Sequence, residues 1–319
     1  RDDSKWRLFQ LAFIVANIPA FATRIPEFKH KYQEKRDDAV TLLYFATGGG
    51  KSEAFFGLLV FTLLLDRLRG KKTGVTAMLR YPLRLLTIQQ AQRCSRVLAH
   101  AELVRRRSSY GGQPLSIGFW VGSSGSPNRH NTQGVASIPA IDSIAPDAKS
   151  EEALRDKDQR YSAAWRAWNK IPKCPFCGSG TALRRFPEMG GTLGHVCSNK
   201  TCASNEGLWK PLPFYICDED IYDLAPSVLL GTVDKLALIG HSAPTIRRIM
   251  GMFGMAPWME PSTGRLVIPA QKEMKDGPAA KGMRGLFPAS ALLDFLFFAI
   301  GGTAWGLPLI PLLKWAERG

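Results

Sequence analysis

The residues whose types and spacing could do chemistry fall in two short segments. Phe45-Ala46-Thr47-Gly48-Gly49-Gly50-Lys51-Ser52 sets three consecutive glycines before a Lys-Ser pair. Glycines let backbone N–H groups curl around a phosphate with no Cβ in the way. A helix opening at the lysine would add its dipole, Lys51 can reach the β and γ phosphates, and Ser52 can ligate Mg²⁺. ATP and Mg²⁺ are therefore the expected ligands of Thr47, Gly48, Gly49, Gly50, Lys51 and Ser52, with Lys51 also serving catalysis. Phe45 stands where G-x-x-x-x-G-K-S has its first glycine, and a glycine-rich turn with an incidental lysine is the alternative. In the second segment, Cys174 and Cys177 are followed, after 19 residues, by Cys197 and Cys202. Two such pairs suit two knuckles closing on one tetrahedral Zn²⁺, and four thiolates with no open position make the site structural. The alternative is four unrelated buried thiols. His195 could compete as a ligand but is expected to be an incidental surface histidine, and Cys94 and Cys217 read as small core residues.

Elements must position these groups. Ala39 to Ala46 is a short apolar run with the look of a central parallel strand, and Ser52 to Leu68 has helical length and periodicity, closed by Gly70. Gly74 to Leu79 is the next strand and a helix from Pro82 to about Arg107 follows, so the order is βαβα, a parallel sheet with helices on both faces. Trp6 to Ala20 reads as a helix buried on both sides. Leu115 to Val121 is a further strand, Gly122 to Ser150 a long mobile loop, and Glu151 to Trp168 helical. After the cysteine segment the α/β pattern resumes with strands at Phe214 to Cys217 and Ser227 to Gly231 and helices around Asp234 and Pro244. The domain expectation is residues 1–171 as a first part carrying the phosphate loop, 172–211 as a zinc-ribbon insertion, 212–288 as a continuation and 289–319 as an atypical apolar tail.

Composition narrows the class. With 45% hydrophobic and 22% charged residues, the chain is neither a disordered tail nor a fibrous repeat. It has 42 Lys and Arg against 27 Asp and Glu, a net charge of +15, and such an excess points to a polyanion, most simply nucleic acid. The six cysteines are too unevenly placed for a secreted disulfide framework, and no signal-peptide pattern opens the chain, so the expected setting is cytoplasmic. The absence of an initiator Met and the Glu317-Arg318-Gly319 ending raise the expectation of a fragment.

Several segments, in order, carry a resemblance. Trp6 to Phe13, the Ala46 to Ala54 loop, Arg80-Tyr81-Pro82-Leu83-Arg84-Leu85-Leu86-Thr87-Ile88-Gln89-Gln90, Trp120-Val121-Gly122 and Gly231-Thr232-Val233-Asp234-Lys235-Leu236 together resemble the superfamily 2 helicase-like DrmA family of DISARM anti-phage defence. The resemblance implies a RecA-like lobe with a P-loop and an inserted zinc ribbon, and a place among other defence-system subunits. It further implies that Arg80, Arg84, Thr87, Gln89, Gln90, Thr232 and Lys235 face a DNA backbone, and that Gln10 matches the glutamine helicases use near the adenine. Polar and basic side chains at the ends of parallel strands can hold phosphates without reading bases, as a translocating motor requires. For any one of the arginines, a solvated helix-end charge is the alternative.

The chain also departs from that family. Hydrolysis needs an acidic pair after an apolar strand. Asp218 and Glu219 have the right local form but the wrong place in the order of motifs, and Asp294 stands alone where the family has an Asp-Glu pair. Phe295 to Leu313 carries no charge over 19 residues, but Gly301, Gly302, Pro308 and Pro311 interrupt it. A truncated or out-of-frame terminus, not a membrane span, is the expectation. The leading functional reading is the N-terminal ATP-binding part of a helicase-like DNA translocase to which the zinc ribbon adds a basic docking surface. The other is a nucleotide-responsive nucleic-acid- or protein-binding module that does not hydrolyse ATP.

Overall fold

The computed structural model describes residues 5–23, 25–43, 49–81, 84–122, 125–232, 235, 248–249, 251–256, 258–260, 263–267, 284–285 and 296–299. The helices around Asp234 and Pro244, residues Phe45 to Gly48, Asp294 and all of 289–319 except 296–299 lie outside the described residues. Five strands form the parallel centre of one sheet: β1 (Ala77–Tyr81), β2 (Ile117–Trp120), β5 (Pro211–Tyr215), β6 (Val228–Thr232) and β10 (Leu296–Ala299). Their order is β10-β1-β6-β2-β5, and β3 (Thr181–Phe186) and β4 (Thr192–Cys197) extend it past β5 as an antiparallel hairpin. A second, three-stranded antiparallel sheet joins β7 (Trp258–Met259), β8 (Leu266–Val267) and β9 (Arg284–Gly285).

The central strands are apolar on both sides because both faces are covered. Ala77, Leu79, Ile117, Phe119, Val228 and Leu230 face one core, shared with helices α3 (Lys51–Leu68) and α4 (Arg84–Arg107). The alternate residues Met78, Trp120 and Leu229 face a second core with Ile221 of α7 (Asp218–Leu224) and with Met252 and Phe253. Helix α4 follows β1 in a parallel sheet, so its opening turn lies at the carboxyl edge of the strands, where ligands of open α/β sheets bind.

Several expectations change in three dimensions. Residues 39–43 are not in a strand, and Val40 and Leu42 are 82% and 85% exposed. Apolar character does not make a strand without a neighbour for its N–H and C=O groups, and among the described residues 39–43 pair with no strand of the sheet. Helix α1 (Leu8–Ala22) forms where expected but is not buried on both sides: Gln10 and Phe13 are buried, whereas Leu8, Leu11 and Val15 are exposed. The segment expected as a mobile loop carries a 3₁₀ turn at Val135–Ser137 and buries Val135 and Ile138. Glu151 to Trp168 is two helices, α5 (Ala148–Lys157) and α6 (Gln159–Trp168), because Asp158 ends the first and caps the second, accepting from the N–H groups of Arg160 and Tyr161 at 2.9 and 3.0 Å. A four-residue helix, α2 (Glu34–Asp37), sits between α1 and α3. Residues 296–299 of the apolar tail form β10. Among the described residues no helix is long and apolar enough to cross a membrane.

Candidate metal centre and phosphate loop

The candidate metal centre is built by two turns and a hairpin. Gly178, at φ +81°, closes the first knuckle by donating its N–H to the Cys174 carbonyl at 2.8 Å. The β3–β4 hairpin then brings Cys197 opposite Thr181, and the second knuckle is held by Asn205, whose Nδ2 donates to the carbonyls of Cys197 and Asn199 at 2.9 and 2.7 Å. The four Sγ atoms lie within 4.8 Å of one another. Cys174 Sγ is 3.8 Å from Cys202 Sγ, and Cys177 Sγ 3.4 Å from Cys197 Sγ. With Zn–S bonds of about 2.3 Å, a tetrahedral ZnS₄ site has S···S edges of roughly 3.8 Å, so the four thiols fit zinc as they stand. The sulfurs also have outer partners: Ser204 Oγ donates to Cys202 Sγ at 3.2 Å and the Asn199 N–H to Cys197 Sγ at 3.4 Å. Three of the four cysteines are buried and Cys177 is exposed. Hydrogen bonding within the cluster pulls the Cys174 thiol down to about 5 and pushes Cys197 up.

His195 is not part of this site, nor is it on the surface. It is fully buried, its Nε2 accepts from the Lys170 N–H at 3.1 Å, and its ring stands edge-on to Phe214. Burial pushes its pKa down to about 3, so it stays neutral. Cys94 and Cys217 are buried, as expected of core residues.

At the candidate phosphate loop the described residues begin at Gly49, and Thr47 and Gly48 lie outside them. Gly50 adopts φ +91° immediately before α3 and, as a glycine at the N-cap, offers that helix no side-chain cap of its own. Lys51 and Ser52 are its first two residues, half-buried. Gln10, the residue matched to the adenine-reading glutamine, reaches the loop: its Nε2 donates to the Gly50 carbonyl at 2.8 Å while its Oε1 accepts from the Arg7 N–H at 2.8 Å. Arg7 Nη1 donates to the Gly49 carbonyl at 2.8 Å. Sequence reasoning did not single out Arg7, and nothing in local sequence marks it, because its contact spans 42 positions of chain.

The DNA-facing candidates gather at the carboxyl ends of β1 and β6. Arg80 and Thr232 line one crevice with Trp120 and Gly231. Both are buried, and Arg80 Nε and Thr232 Oγ1 have no hydrogen-bond partner among the described residues. Burial lowers the Arg80 pKa. Lys235 is also buried; its Nζ donates to Asp218 Oδ2 and, at 3.4 Å, to Asn128 Oδ1. The structure thus joins Asp218, expected to serve catalysis, to Lys235, expected to grip DNA. Burial raises the Asp218 pKa and Lys235 opposes the shift. Gln89 is exposed and Gln90 half-buried on α4; Arg84 and Thr87 lie in its opening turn, and their side chains lie outside the described residues. Asp218 and Glu219 follow β5, whereas α3 packs near β10 at the other end of the parallel strands.

A third group, His130, Cys217 and Asp220, also has ligand atoms within 4.8 Å. A cation there would meet Arg265, whose Nη2 lies 2.7 Å from Asp220 Oδ1, and Asp220 already accepts from Thr192 Oγ1 and the Leu193 N–H. The group is a hydrogen-bonded lock. His130 Nε2 lies 3.0 Å from Asp220 Oδ1, and that hydrogen bond, opposed by desolvation, raises the His130 pKa above its ordinary 6.5. A group whose folded pKa is raised contributes stability that is complete below its unfolded pKa, near 6.5, and is lost as pH rises through the folded value. His130→Gln is therefore expected to flatten the fall in thermal stability just above pH 6.5, measured by melts at stepped pH.

No protein-family model matches the chain. Over 268 residues, 80% of the chain, it is 30% identical to DISARM protein DrmA of Bacillus paralicheniformis. Over that region the chain is DrmA-like. The chain spans about a fifth of the length of that relative, since the match covers 21% of it.

Proposed function

We propose that this chain is the ATP-binding, N-terminal RecA-like part of a superfamily 2 helicase-like DNA translocase related to DrmA, acting in the cytoplasm with other subunits of a phage-defence system. The observation that carries the reading is the loop opening α3: a left-handed Gly50, then Lys51 and Ser52 as the first residues of the helix, with Gln10 fastened to the Gly50 carbonyl. In this reading the loop amides and Lys51 bind the ATP phosphates, and Ser52 holds Mg²⁺, which when bound neutralises phosphate charge. Asp218 and Glu219 are the acids proposed to complete the site, and Arg80, Arg84, Thr87, Gln89, Gln90, Thr232 and Lys235 the DNA backbone contacts. Zinc in the four-cysteine centre is structural.

A second reading, a nucleotide-responsive binding module without hydrolysis, is favoured by one observation. Asp218 is held by Lys235 and Glu219 accepts from the His130 N–H at 2.8 Å, both just after β5. The test is ATP binding and turnover by the zinc-loaded chain, with and without DNA, beside Lys51→Ala. ATP binding that weakens by about tenfold or more in Lys51→Ala, a loss of roughly 1.4 kcal/mol, is expected. DNA-stimulated turnover lost in Asp218→Asn would support the translocase reading in full, and binding without turnover the second. A folded, zinc-loaded chain that binds no ATP would overturn both.

A further inference from the structure

The zinc module grips one helix along one line. Gln92 Nε2 donates to the Lys173 carbonyl at 3.0 Å. Ser95 and Ala99 line a narrow crevice with Pro175 and Phe176. Arg106 Nη1 donates to the Ala203 carbonyl at 2.9 Å and pairs with Glu206 at 2.7 Å, and its guanidinium lies 6.0 Å from the Phe176 ring centroid. Positions 92, 95, 99 and 106 step by three, four and seven, one stripe of α4 about 21 Å long. The module's side of each contact sits beside a zinc ligand in sequence: Lys173 precedes Cys174, Pro175 and Phe176 lie within the first knuckle, and Ala203 follows Cys202. The bonds that close the metal centre therefore fix the backbone that holds α4.

We propose that the zinc module is a brace for α4: by fixing the helix from Gln92 to Arg106 it holds the opening turn, with Arg84, Thr87, Gln89 and Gln90, against the carboxyl edge of the sheet, and it is not itself a DNA surface. The part concerning DNA rests on the reading that this opening turn meets the DNA backbone. A helix tilts about its fixed points, and Arg84 lies about 12 Å beyond Gln92, so a tilt of about ten degrees at the brace moves the opening turn by roughly 2 Å. That displacement is enough to separate a guanidinium from a phosphate. Arg106 is accordingly a positioning residue, and its loss differs in kind from the loss of a phosphate contact. Removing a residue that touches phosphate lowers the salt slope of binding by about 1, whereas moving the whole set weakens binding without removing a defined contact.

The experiment uses the full chain. Hydrogen exchange over residues 84–107 is followed with zinc bound, after chelation, and in Arg106→Ala with zinc content measured, and binding to a fluorescent oligonucleotide duplex is titrated against salt. Expected are exchange about tenfold faster over 84–107 after chelation, and in Arg106→Ala weaker DNA binding at full zinc content with an unchanged salt slope. Arg106→Lys, which keeps a cation near Glu206, should restore much of the affinity, and Lys200→Ala and Lys210→Ala on the module itself should leave it unchanged. Unaltered protection of α4 in chelated protein that is still folded would overturn the brace. So would a loss of DNA affinity and salt slope in Lys200→Ala or Lys210→Ala with α4 still protected. Arg84→Ala separates the two ideas: if it leaves affinity and slope unchanged while chelation still loosens α4, the brace stands and the DNA reading of the opening turn fails.

Discussion

Cys197→Ser is expected to abolish zinc binding and to destabilise the chain by on the order of 5 kcal/mol or more, read as zinc stoichiometry together with a denaturant midpoint. The free energy of binding a structural zinc is largely folding free energy, because the ligand set does not exist in the unfolded chain. Here the metal would hold two knuckles 19 residues apart, and Cys197 is also the last residue of β4, paired to Thr181 of β3. Through β4 the hairpin is hydrogen-bonded to β5 and so to the main sheet, which spreads the damage beyond the knuckles. Cys177, exposed and at the rim of the cluster, should give the mildest of the four cysteine substitutions. Equal stability of the Cys197→Ser and parent chains in the presence of zinc would show that the thiols are an ordinary buried cluster.

Glu151→Ala is the second large effect, an expected loss of about 3–5 kcal/mol by thermal or chemical unfolding. Arg184 on β3 is fully buried, and its Nη1 lies 2.9 Å from Glu151 Oε2 of α5 and donates to Tyr161 Oη of α6 at 3.1 Å. Tyr161 in turn hydrogen-bonds Glu151, and burial drives its pKa up. The rest of the guanidinium is spent on the carbonyls of Ile144, Ala145 and Leu183. Removing Glu151 leaves a buried cation with no counterion, and desolvation makes that costly. Adding Arg184→Met to Glu151→Ala removes the stranded charge, so the double variant should be more stable than Glu151→Ala alone. Tyr161→Phe, which loses only hydrogen bonds to charged partners, should cost about 1.5–3 kcal/mol. If Glu151→Ala proved as mild as a surface substitution, the network would be contributing little.

The parts of the site built from neighbours in sequence were legible there. Gly50-Lys51-Ser52 starts a helix because a glycine at positive φ turns the chain and the residues after it have helical periodicity, a local effect. The four cysteines were legible for a similar reason: zinc demands a fixed ligand type in close pairs, and the pairs are short turns. Hairpin geometry then closed the 19-residue gap. His195 was misread because burial is not local. Two residues from a ligand, it looks available, yet β4 lies inside the sheet between β3 and β5 and turns the imidazole onto Phe214 and the Lys170 N–H.

The sequence by itself determined the alternation of apolar strands and helices, the glycine-bounded start of α3, the four-cysteine set that could hold a metal, the excess of positive charge and the similarity to DrmA. These follow from residue type, short spacing and periodicity. Tertiary structure alone decided that Ala39 to Leu43 is not a strand, that Gln10 closes onto Gly50 across 40 positions, that Lys235 is buried against Asp218 and that the cysteine knuckles contact α4. Each of these depends on which element becomes the neighbour of another. That choice is made by burying apolar faces and satisfying backbone groups over the whole chain, and no local stretch of residues carries that information.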